Sequence, residues 1–197
     1  MISNEWSAGL QLVGWLLFDP RLGVLIALLL VAAWSDWRAH RIPNWLVFGG
    51  AAYALIYNTV FPSYPDGVGL LAALAGLGLG LALLLPFYLL RAMGAGDVKL
   101  MAMVGAFLGP WPTFLAVLAT FLAGGVLAIL FLLAKGVAWR AIQNVALIGR
   151  SAVFDVAAGS RPVLTLEPAS SAGKLPYGIA IGVGTAGYLF AKQFGYV

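Results

Sequence analysis

Residues 100–134, between Lys99 and Lys135, contain no charged side chain, and residues 67–90 are equally free of charge. A helix crosses the hydrocarbon core of a bilayer in about 20 residues. In lipid every backbone polar group must be satisfied within the segment, so helices are the architecture that runs like these allow. The whole chain follows the same pattern: 62% of its 197 residues are hydrophobic and 9% are charged, with a mean hydropathy of +0.99, against about 25% charged in soluble domains. The expected fold is all-α: a polytopic six-transmembrane helix bundle forming one integral-membrane domain over residues 1–197. Spans are expected at about 20–36, 45–61, 67–90, 97–109, 112–134 and 176–194.

The N-terminal apolar stretch Trp6 to Phe18 is too short to span and is interrupted by Asp19-Pro20-Arg21, which predicts an interfacial helix leading into the first span. Leu22 to Ala33 after Arg21 has the look of a signal-peptide core, but Asp36 follows at once inside a motif, so the segment is expected to be retained. The fourth span is short unless part of Gly94-Ala95-Gly96 lies at membrane depth, which is tolerated where backbone is buried in protein or faces water. Small residues recur every four positions at Ala72, Gly76 and Gly80 and at Gly178, Gly182 and Ala186, a pattern that lets helix backbones approach closely. In the loop after the fifth span, Val137, Ala141, Ile142, Val145 and Ile148 face away from Arg140, Gln143, Asn144 and Arg150. This predicts an amphipathic helix on the cytoplasmic membrane surface.

Charge orients the bundle. Arg38, His40 and Arg41 follow the first span, Arg91 and Lys99 flank the turn into the fourth, and Lys135, Arg140, Arg150, Arg161 and Lys174 fill the long loop. The loops between spans two and three and between four and five carry no Lys or Arg. By the positive-inside rule the basic loops are cytoplasmic and both termini lie outside. The net charge of +4 is thus explained by topology, without a nucleic-acid partner. Asp36, closing the first span, and Asp97, opening the fourth, then share the cytoplasmic face at similar depth.

A carboxylate is costly in hydrocarbon, so acids at membrane depth are usually functional. The inventory narrows what these two can do. With no cysteine and one histidine, His40, thiol chemistry, zinc-thiolate sites and two-histidine zinc motifs are excluded, and no metal or other cofactor is expected. His40 stands among loop arginines as a solvated side chain rather than a serine-activating base, and no serine lies within spans three to six to pair with Lys99. A two-carboxylate site remains: at close range two acids share one proton, and the pair supplies both a general base to activate water and a general acid.

Gly94-Ala95-Gly96-Asp97-Val98-Lys99-Leu100 resembles the Gly-x-Gly-Asp motif of the type IV prepilin peptidases, and Asp36 with Arg41-Ile42-Pro43-Asn44 is similar to that family's first aspartate and its following Ile-Pro-Asn. The resemblance extends to Gly105-Ala106-Phe107-Leu108-Gly109 and Pro176-Tyr177-Gly178. It implies an intramembrane aspartyl endopeptidase of a prokaryotic cytoplasmic membrane that removes basic leaders from prepilins or pseudopilins, with Asp36 and Asp97 as the catalytic pair. Larger family members carry a cysteine-containing methyltransferase region between the first spans. This chain has neither the cysteines nor the space, which points to the short branch associated with tight-adherence (Flp-type) pili, without methyltransferase activity.

Around the acids the residues admit more than one reading. Helix dipoles favour Asp97, at a helix start, as the ionised base and Asp36, at a helix end, as the proton holder. Gly94 and Gly96 suit either a loop that admits an unwound substrate backbone or a close-packed turn. Lys99 suits charge stabilisation near the site or snorkelling to the interface. Asn44 suits substrate binding or helix capping, and Arg38 substrate binding or structural support. Two other classes of function compete: a small proton-coupled transporter in which the acids relay protons, and a non-enzymatic pilus-assembly subunit in which they pair with Arg38 or Arg91.

Overall fold

The computed structural model describes residues 19–62, 68–134, 136 and 177–195. The interfacial helix expected over residues 6–18 and, Gly136 aside, the loop with its amphipathic helix lie outside the described residues. The described chain is all-helical: α1 (Pro20–Ala39), α2 (Asn44–Val60), α3 (Gly69–Leu89), α4 (Ala95–Leu108), α5 (Pro110–Ala134) and α6 (Tyr177–Gln193). Each helix falls on an expected span. Of these, α1, α3 and α5 are long and apolar enough to cross a membrane. Chain contacts define two compact units, Met1–Gly124 with Pro176–Val197, and Gly125–Leu175. In the second, the described residues are 125–134, in the helical end of α5, and Gly136, which has a left-handed φ of 65°.

The sequence explains the helix ends. Asp19 caps α1, accepting from the Arg21 and Leu22 N–H groups at 3.0 and 3.4 Å, and Pro20 occupies the first turn, where its missing donor costs nothing. The helix does not stop at Asp36 as expected. It continues to Ala39 and closes on His40 in a left-handed conformation, whose N–H donates to the Asp36 carbonyl. Asp36 therefore projects from the last complete turn. Likewise α4 begins before Asp97, with Gly94 as its N-cap and Asp97 in its first turn.

The first unit is organised around α4, which packs against α1, α2, α3 and α6. Every residue of α4 from Asp97 to Leu108 is buried except Lys99, as expected for a helix that is apolar all round. Its 14 residues extend about 21 Å, short of the about 30 Å hydrocarbon core. The tightest contact is with α3, where a Cβ on Gly76 would collide with the Gly105 carbonyl oxygen and a Cβ on Gly105 with that of Gly76. The span-three glycines thus serve close packing. At the end of the bundle opposite Asp36, Asn58 is fully buried. Its amide donates to the Ala54 and Ala106 carbonyls at 2.9 and 3.1 Å, and its oxygen accepts from the Val68 N–H at 3.3 Å and the Arg21 guanidinium at 3.4 Å. One side chain so ties together α1, α2, the start of α3 and the end of α4.

Candidate active site

The opposite end gathers the last turn of α1 and the first turns of α2, α4 and α6. Asp36 and Asp97 are 6% and 8% exposed. Burial of an acid without compensation is costly, and each carboxylate receives one backbone donor. Asp36 Oδ2 accepts from the Gly178 N–H at 2.8 Å, and Asp97 Oδ2 from the Gly94 N–H at 3.0 Å. Each donor lies at the start of a helix, α6 and α4 respectively, where N–H groups lack intrahelical partners and attract negative charge. The segment after α1 meets the start of α4 directly, with Ile42 against Gly96, the residue before Asp97. Sequence positions 61 apart are thus brought to one site, in which each acid keeps an oxygen without a protein donor among the described residues.

The surrounding residues sort differently from expectation. Asn44 does not cap α2: the cap is Pro43, which makes no side-chain hydrogen bond, and Asn44 Oδ1 instead accepts from Lys99 Nζ at 3.1 Å. Among the described residues Lys99 thus hydrogen-bonds Asn44 rather than either acid. It bridges α4 to α2, with its ammonium 5.5 Å from the centre of the Phe48 ring. Arg38 lies over Trp34 at 5.4 Å, and among the described residues neither acid pairs with Arg38 or Arg91. His40 is exposed, as expected of a solvated loop histidine. Gly96 is half-buried against Ile42 of the α1–α2 linker, while Gly94 is exposed beside the Asp97 carboxylate. No group of three or more potential ligands capable of holding a metal ion occurs among the described residues.

Sequence reading did not find the Gly178 amide, because a backbone donor leaves no side-chain signature. It also passed over Asn58, although an amide within an apolar run is the type of residue that must find buried partners.

The fold and site thus define an α-helical membrane protein with two buried carboxylates at one end of its helices. A family model described as the type IV leader peptidase family matches residues 23–129, more than half of the chain and including both acids. The chain belongs to that family, and membership implies peptidase activity. No curated protein and no solved structure matches it.

Proposed function

We propose that this chain is an aspartyl endopeptidase that removes the basic leader from Flp-type prepilins or related pseudopilins at the cytoplasmic face of a prokaryotic inner membrane, with Asp36 and Asp97 as its catalytic dyad. The observation that carries the reading is the presence of two buried acids at one end of the helices, each oriented by one backbone N–H.

In the reaction, one carboxylate takes a proton from water as the oxygen attacks the scissile carbonyl. The other, protonated, gives its proton to the leaving amide nitrogen as the C–N bond breaks. The two titrate as a pair, so the roles belong to the dyad rather than to fixed members. Lys99 and Asn44 act on Asp97 by fixing the first turn of α4 against α2. A prepilin has a basic leader kept inside by the positive-inside rule and an apolar stem in the bilayer. Its scissile bond therefore falls at the bilayer boundary, where a site between helix ends can meet it. Residues 1–197 act as a single peptidase domain with both termini outside, and the absence of cysteine leaves no thiolate zinc site for a methyltransferase module.

The test is co-expression with candidate prepilins, following the shift from precursor to mature size. A relay transporter would lose ion flux in liposomes when either acid is replaced, with no processed pilin appearing in any strain.

A further inference from the structure

Ser35 and Asp36 are neighbours near the end of α1, yet their side chains bond in different directions: Asp36 accepts from the Gly178 N–H of α6, while Ser35 Oγ donates to the Arg41 carbonyl at 2.8 Å. The second bond is unusual for a hydroxyl within a helix. Such a group commonly turns back to the carbonyl four residues earlier, as Thr59 and Thr120 do toward Leu55 and Ala116 at 2.7 and 2.8 Å. Ser35 instead reaches six residues forward, past the helix end, and closes the corner between α1 and α2.

That corner is stiff. His40 reverses the chain with a left-handed φ of 48°. Pro43 locks its own φ and, by crowding the residue before it, confines Ile42 to extended backbone. With so little freedom left after α1, the point at which the Arg41 carbonyl is held decides where Ile42 lands. It lands on the first turn of α4: Ile42 Cβ stands 3.3 Å, and its Cγ1 and Cδ1 3.6 Å, from the position of a Cβ on Gly96. Asn44, the first residue of α2, then accepts from Lys99 at 3.1 Å. Gly96 and Lys99 bracket Asp97 in sequence, so the corner grips α4 on both sides of this acid.

We infer that Ser35 is a positioning residue: by tying the Arg41 carbonyl to the turn of α1 that carries Asp36, its hydroxyl seats Ile42 on Gly96 and so fixes the acid of α4 relative to the acid of α1. The role rests on the peptidase reading above. Ser35 itself handles neither substrate nor water. It acts through Arg41, Ile42 and Gly96, and its effect falls on the chemical step, where a misplacement of about 1 Å is enough to slow reaction strongly.

The chain has no cysteine, so spin labels at Ala39→Cys and Ala95→Cys, both exposed positions, report the separation between the end of α1 and the start of α4 in the full-length protein in membranes. Ser35→Ala is expected to broaden that distance distribution, and Ser35→Thr, which keeps the hydroxyl, to leave it narrow. In prepilin cleavage Ser35→Ala is expected to lower kcat about three- to tenfold with KM unchanged, because the contact bears on alignment of the acids and not on substrate binding. Ile42→Ala should do the same, the double variant should be little slower than either single one, and Ser35→Thr should restore kcat. A hydroxyl that only closed the helix would alter neither the distance nor kcat per folded molecule. An unchanged distance distribution, or a Ser35→Ala kcat equal to the parent's, overturns the positioning role and leaves the dyad reading intact. Cleavage at the normal rate by Asp36→Asn overturns the dyad reading, and the positioning role with it.

Discussion

The backbone N–H of Gly178 donates a 2.8 Å hydrogen bond to Oδ2 of Asp36, linking positions 142 residues apart. The contact needs glycine, because a Cβ at position 178 would stand 2.9 Å from the same oxygen. Gly178→Ala is therefore expected to push the carboxylate off its donor, at a cost of about 1–3 kcal/mol, or roughly ten- to a hundredfold in cleavage rate. Prepilin processing measured at matched protein levels checks this.

The Lys99–Asn44 bridge fixes the turn that carries Asp97. Lys99→Met and Asn44→Leu should each slow cleavage several-fold, and because both remove the same contact the double variant should be little slower than either single one. Additive losses would show that the two residues act separately.

Much of this site was open to sequence reasoning, for a physical reason. Asp36 and Asp97 stand out because charge is rare and costly in apolar runs, and the basic loops place both acids at one end of the helices. The extents of α1 and α4 were less legible. Whether Asp36 ends a helix or sits a turn inside it depends on His40 adopting a left-handed conformation, which composition does not signal. The partner of Lys99 was hidden as well: Asn44 reads as a capping residue locally, and only tertiary packing brings Lys99 within 3.1 Å of it.

Asn58 is the clearest stability determinant at the far end of the bundle. Asn58→Leu removes the side-chain partner of both the Ala106 carbonyl and the Val68 N–H. At about 1–3 kcal/mol for each buried group left unsatisfied, the variant should unfold at a clearly lower temperature in detergent. An unchanged Tm would show that other groups or water take over these partners.

Gly105→Ala tests the seam between α3 and α4, where the added methyl would collide with the Gly76 carbonyl. Overpacking of this kind costs about 1–3 kcal/mol or more, so thermal stability should fall even though the residue lies far from Asp36 along the helices.

The central claim is that Asp36 and Asp97 form one catalytic pair. The direct measurement is the rate at which a candidate prepilin is shortened in membranes containing the wild-type chain, Asp36→Asn or Asp97→Asn at equal abundance. Each substitution alone is predicted to abolish processing while leaving the protein folded and in the membrane. Processing at the normal rate by either variant would contradict the dyad.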